Sequence, residues 1–240
     1  MDNEIGHNLM KKVFLSAGWY NLVLFNFVTP QEILKPFLPH GAELDLFDNQ
    51  AFVSLVAFQF HNTEVMGIKW PGFKNFPELN LRFYVRYKGE RGVCFIKEYV
   101  PSQLITTIAK VLYNEPYKKA KMTDHVVVDP KKIVAEYTLK DGLDSCYLSV
   151  KAANEPYLPS VTSVEHFFKE HELGVGRDRR GRTLTYRVHH PHWKVYPIEN
   201  YEIKLDAANL YGESFGYLAK DTPASVFLAE GSEILVYKKD

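Results

Sequence analysis

Residues Lys74–Arg86 read "KNFPELNLRFYVR". From Glu78 onward the run alternates: Leu79, Leu81, Phe83 and Val85 fall between Glu78, Asn80, Arg82, Tyr84 and Arg86. A period of two is the pattern of a β-strand with one apolar and one polar face. The apolar face asks for a core. The polar face can look at bulk water, where its charges would be ordinary cross-strand pairs. It can also look into a lumen, where one carboxylate and two guanidiniums would share a pocket. There, Arg82 and Arg86 could hold a carboxylate or phosphate bidentately, and a buried Glu78 could serve as general acid or base. Glu78 and Arg82 are about 13 Å apart along a strand, too far for a tight pair but close enough to line one cavity.

Working outward, further strand patterns flank this one. Residues 20–28 and 51–60 read as strands, the second apolar enough ("AFVSLVAFQF") to be covered on both faces. "VCFIKEYV" (93–100) follows a turn, and strict alternation would put Val93, Phe95 and Lys97 opposite Cys94, Ile96 and Glu98. More strands are expected near 124–129, 133–139, 145–151 and 183–190, with two at the C-terminal end, "ASVFLAEG" and "SEILVYKK". Helices are few. Thr29, Pro30 and Glu32 form a capping-box pattern before a short one. Residues 102–113 carry an apolar stripe of Leu104, Ile105, Ile108, Val111 and Leu112, with Ser102 as the cap. Residues 163–171 make a third, opened by Thr162 or Ser163. Many strands in hairpin order and no sustained strand–helix alternation point to an α+β, mainly β chain: a largely antiparallel barrel or sheet with peripheral helices. No linker, repeat or low-complexity tract divides it, so residues 1–240 are expected to form one domain.

Composition bounds the partners. The 240 residues carry 29 Lys+Arg and 29 Asp+Glu, so no global field attracts nucleic acid or an acidic membrane surface. No run of about 18 apolar residues spans a bilayer, and the N-terminal stretch lacks the apolar segment and cleavage site of a signal peptide. A cytoplasmic protein is the expectation, with a small molecule as its partner and self-association into a homo-oligomer left open. Cys94 and Cys146 lie in apolar strand-like runs and read as buried free thiols.

Other clusters invite chemistry. "EPYKKAKM" holds Lys118, Lys119 and Lys121; adjacent lysines depress each other's pKa, the electrostatic route to a Schiff-base amine, although a solvated loop gives the same pattern. "RVHHPHW" holds His189, His190 and His192, but Pro191 and strand geometry separate them, so a pocket acid or base such as His190 fits better than a metal site. "GVGRDRRGR" lacks both the P-loop and the dinucleotide-binding spacing and reads as a charged hairpin turn. Nothing calls for a metal or a cofactor.

"LPHGAELDLFDNQAFVSLVAFQF", "FPELNLRFYVRYKGERGVCFIKEYVPS", "VLYNEPYKKAKM", "LTYRVHHPHWKVYP" and "SVFLAEGSEILVY" resemble successive blocks of the YqjF-like proteins, the bacterial domain of unknown function 2071 family. The resemblance runs from about residue 16 to the C-terminus. It implies the fold of the acetoacetate decarboxylase-like superfamily: a largely antiparallel β-barrel or cone with outer helices and a central cavity. It also implies roles. Lys118 or Lys119, following a Tyr, would match the enzymes' Schiff-base lysine, with Glu78 as the cavity glutamate and Arg82 and Arg86 steering substrate. Three readings stay open. The chain could bind a small anionic metabolite through Arg82, Arg86, Tyr84, Glu98 and His190. It could be a lyase acting on a keto acid through Lys118 or Lys119. It could use Glu78, Glu98 or His190 as acid or base with no covalent intermediate.

Overall fold

The computed structural model describes residues 13–69, 74–112, 116–178 and 180–237, with the side chains of 108–112 excepted. The N-terminal reading of residues 1–12, residues 70–73, and the stripe side chains Ile108, Val111 and Leu112 lie outside the described residues. Numbered in chain order, the first strands are β1 (Val13–Val28), β2 (Ala42–Leu44), β3 (Phe52–Val65), β4 (Phe76–Tyr87), β5 (Glu90–Val100) and β6 (Tyr117–Lys119). They are followed by β7 (Lys121–Val128), β8 (Lys132–Asp141), β9 (Asp144–Ala153), β10 (Leu173–Arg177), β11 (Thr183–His189), β12 (Val195–Tyr196), β13 (Ile198–Leu205) and β14 (Ser225–Tyr237). The α-helices are α1 (Gln31–Leu34), α2 (Gln103–Leu112), α3 (Val164–Lys169) and α4 (Ala207–Tyr211).

The large sheet closes on itself. Its hydrogen-bonded order runs β4-β3-β1-β14-β11-β10-β5, and β5 pairs again with β4. Every pairing in this ring is antiparallel except β10 with β5, a parallel contact of two residue pairs, Leu173 with Gly92 and Gly174 with Val93. A second sheet, β13-β9-β8-β7, lies against the outside. The mainly β, barrel-like architecture read from the pattern is therefore the observed one.

The alternation in β4 decides which side is which. Leu79, Leu81, Phe83 and Val85 join an outer core with Phe25, Leu55, Leu139, Leu148 and Val150. Each such side chain contributes about 1.5–3 kcal/mol by leaving water. Glu78, Asn80 and Arg82 look the other way, into a lumen whose apolar part is a separate cluster that includes Phe58, Phe60, Val93 and Trp193. β3 is covered on both faces as its composition asks.

Local departures have physical causes. β1 starts at Val13 rather than near 20, because a register shift between Tyr20 and Val23 and a positive φ of 55° at Asn21 interrupt the alternation. Thr29 forms no capping box: Pro30 takes the cap position, and the Thr29 hydroxyl bonds the Phe27 carbonyl and the Tyr217 hydroxyl. The two expected C-terminal strands are one, because Gly231 at φ +80° lets the chain pass without breaking. A Cβ there would lie 1.8 Å from the Trp19 carbonyl oxygen. Ser102 and Ser163 do cap their helices, accepting the amides of Ile105 and His166. Cys94 and Cys146 are buried, and neither is in a disulfide among the described residues. Among the described residues no helix is long and apolar enough to cross a membrane.

Candidate functional site: the polar lumen of the ring

A β-bulge places one wall of the site. The β4–β5 register slips between Leu81 and Arg82, which pair with Lys97 and Phe95 and leave Ile96 extra. Strict alternation, which would put Glu98 opposite Val93 and Phe95, is thereby broken. Val93, Phe95 and Glu98 line the lumen together, while Ile96 packs in the outer core. Lys97 also goes outward, where its amine reaches the Leu210 carbonyl under the rings of Tyr99 and Tyr211.

Glu78 sits 2% exposed. Its Oε1 accepts the Asn80 Nδ2 at 3.0 Å and its Oε2 accepts the Tyr117 hydroxyl at 2.8 Å. Burial pushes its pKa up to about 7, against the downward pull of those two bonds and the Arg82 charge. Burial and the two carboxylates of Glu78 and Glu98 hold the Tyr117 hydroxyl well above its ordinary pKa, so it stays a donor. Tyr117 reaches this place because β6 lies parallel to β5, setting Tyr117 beside Glu98.

Arg82 occupies the next lumen position after Asn80. Its terminal nitrogen donates to the Phe168 carbonyl at 2.9 Å, and its Nε has no protein partner. Beside it is His171, with both ring nitrogens buried and unpartnered. Burial, then the charges of Arg91 and Arg82, hold this imidazole well below its usual pKa and therefore neutral. Lys169 also lines the lumen, 3% exposed, with its amine paired to Glu170. His190 lines it too, its ring stacked on Trp193 at 4.1 Å and its Nδ1 donating to the Pro191 carbonyl at 2.9 Å. The space these residues line is about 130 Å³.

The residues singled out from sequence divide. Glu78, Arg82, Glu98 and His190 converge on the lumen. Tyr84 is fully buried in the wall, linked to the Ser54 hydroxyl and the Phe168 carbonyl and packed on Phe167 and Phe168. Arg86 lies beyond the lumen at the exposed end of β4, where its Nε donates to Asp45 at 2.8 Å. The structure does not bring Lys118 or Lys119 into the lumen: Tyr117 takes the inward place, alternation turns Lys118 to the other face, and Lys119 falls at the exposed end of β6. Lys118 is half-exposed and paired to Asp141, and Lys119 lies exposed beside Ser102 and Leu104. His189 pairs with Glu172 on the surface, and no group of three metal-binding side chains exists among the described residues. The "RDRRGR" turn is closed by Asp178, which accepts the Arg180 and Arg182 amides and the Arg182 Nε.

Lys169, His171 and Tyr117 were not legible as site residues. Tyr117 was masked by the lysine pair after it. The charged run "KEHE" (169–172) looks like a solvated helix end. Only its position entering an inner strand, β10, turns it inward.

A family model described as an uncharacterized conserved protein, domain of unknown function 2071, matches residues 16–233. The chain belongs to this family. Within it, "Uncharacterized protein YqjF" of Bacillus subtilis (strain 168) is 23% identical over 220 residues, covering 91% of this chain and 88% of that one. The fold of this domain of unknown function 2071 member is that of acetoacetate decarboxylase-like proteins. It superposes on acetoacetate decarboxylase from Legionella pneumophila with a TM-score of 0.65 at 17% identity, covering 93% and 86% of the two chains. It superposes on the enduracididine biosynthesis enzyme MppR complexed with pyruvate with a TM-score of 0.69 at 12% identity, covering 95% and 89%. An acetoacetate decarboxylase-like enzyme from Sphingomonas wittichii RW1 gives 0.65 at 12%, covering 94% and 92%.

Proposed function

We propose that the lumen binds a small carboxylate-bearing metabolite, with Arg82 meeting the carboxylate and Glu78 placed to take or give a proton. The supporting observation is the concentration of buried polar atoms around one lumen: the Arg82 Nε and both His171 nitrogens are buried without partners, and both residues line the space that Glu78 lines. Buried donors without partners cost about 1–3 kcal/mol each, a penalty that an entering acid removes. A cavity of about 130 Å³ is comparable with the roughly 150 Å³ hole that admits benzene, so the ligand has about half a dozen heavy atoms.

Acid–base chemistry is the second reading. A carboxyl group with its pKa near 7, hydrogen-bonded to a tyrosine that keeps its proton, is matched to proton transfer at neutral pH. A keto-acid lyase working through Lys118 or Lys119 has no comparable support, since both amines lie outside the lumen.

Thermal shift with a panel of small carboxylic acids tests the reading. Saturation to 100 times Kd stabilises the fold by about 2.7 kcal/mol. The shift should vanish in Arg82→Gln and survive in Lys118→Ala and Lys119→Ala. A panel in which no acid raises the melting temperature, or a shift that disappears with either lysine, removes it.

A further inference from the structure

The unpartnered atoms of the lumen are not all of one kind. At the Arg82 end two of them are donors, the Arg82 Nε and the N–H of a neutral His171, with the other ring nitrogen of His171 an acceptor beside them. At the Glu78 end the orphan is an acceptor. Asn80 spends its amide N–H on Glu78, which leaves its Oδ1 buried with no partner. No donor among the described residues pairs with it. Glu98 stands directly across on β5, Glu78 is two residues away on the same strand, and the Tyr117 hydroxyl is already committed to Glu78. A ligand that is only a carboxylate pairs with the donors of the first end and brings no donor to the Asn80 Oδ1.

The two ends are close. Asn80 and Arg82 are successive lumen positions on β4, about 6.6 Å apart along the strand. One molecule of half a dozen heavy atoms can touch both.

Resting on the carboxylate reading above, we propose that the ligand is a small hydroxy or amino acid, whose hydroxyl or ammonium donates to Asn80 Oδ1 while its carboxylate accepts from Arg82 and His171. Asn80 is then a specificity-determining residue. A keto acid of the same skeleton presents a carbonyl acceptor to Asn80 Oδ1 and to the carboxylates beside it, and is rejected. A site built to pair a polar group discriminates strongly against analogues that leave the group unpaired. The Glu78 carboxylate lies on the same side as the donor, so the group it would exchange a proton with is that hydroxyl or ammonium.

Isothermal titration with matched acids of three to five carbons tests this: the 2-hydroxy, 2-amino, 2-oxo and unsubstituted members of each skeleton. The hydroxy or amino member should bind at least tenfold more tightly than the 2-oxo and unsubstituted members, and whichever of the two wins names the donor. In Asn80→Leu, which keeps the volume and removes the acceptor, that preference should fall to within threefold while the unsubstituted acid still binds. His171→Gln should weaken all members together. If 2-oxo and unsubstituted acids bind wild type as tightly as the hydroxy and amino acids, the inference is overturned and the carboxylate reading stands. If no acid of any type binds, both fall. A preference that persists in Asn80→Leu overturns the role of Asn80.

Discussion

At the scale of single residues, the lumen sets two titrations of opposite sign against each other. Glu78 is protonated more readily in the folded protein than in the unfolded chain, so its contribution to stability is lost as pH rises from about 4.5 to about 7. The full difference is on the order of 3 kcal/mol. Gln carries no charge to bury, and its amide can pair with a rotated Asn80. Glu78→Gln is therefore expected to match wild type near pH 4.5 and exceed it in stability at pH 8, a difference curve that urea denaturation across that range records. His171 works the other way. Its folded-state pKa is depressed, so titration takes no stability above the unfolded value and stability is lost as pH falls below about 6.5. In His171→Gln the loss on the acid side should shrink, again read as wild type minus variant. Equal pH slopes in variant and parent would show that neither group is buried as described.

At the scale of elements, the decisive feature is the closure of the ring. Gly92 of β5 faces Leu173 of β10 at the two-pair parallel seam, and a Cβ on Gly92 would stand 2.7 Å from the Leu173 carbonyl oxygen. Backbone cannot yield as a flexible side chain can, so Gly92→Ala should cost about 1–3 kcal/mol. Amide exchange at Gly174 and Val175 should accelerate more than exchange in β8. Uniform acceleration would mean that the seam is not where the strain enters. The same element shows what sequence could and could not tell. The alternation of Glu78–Arg86 gave the strand, its two faces and three lumen side chains, because period two is a local property. The bulge at Ile96 is set by pairing with β4, which local alternation does not encode, so Glu98 and Lys97 exchanged sides relative to the simple pattern. β6 shows the same limit. Three residues carry no readable period, and only docking beside β5 decides that Tyr117, not Lys118, faces Glu78.

At the scale of the whole molecule, the chain's first and last described strands pair along most of their length, and β14 also carries β11 and β12. Removing residues 225–240 should therefore not yield a shortened barrel. It should abolish near-ultraviolet circular dichroism and raise dye binding to exposed apolar surface, and a truncated chain with a native near-ultraviolet spectrum would contradict the ring. Such non-local closure also predicts refolding on the slow, millisecond-to-second side of single-domain kinetics. The ring wall has a core on each side, and the two differ in character. The outer one, between the wall and the β13-β9-β8-β7 sheet, is built mainly from aliphatic and aromatic side chains, with the Cys94 and Cys146 thiols among them and the Lys97 amine under Tyr99 and Tyr211. The inner one shares its volume with charges. A wall anchored from outside can be re-lined inside without losing its shape. Chains that agree at only 12–17% of positions can thus keep one frame.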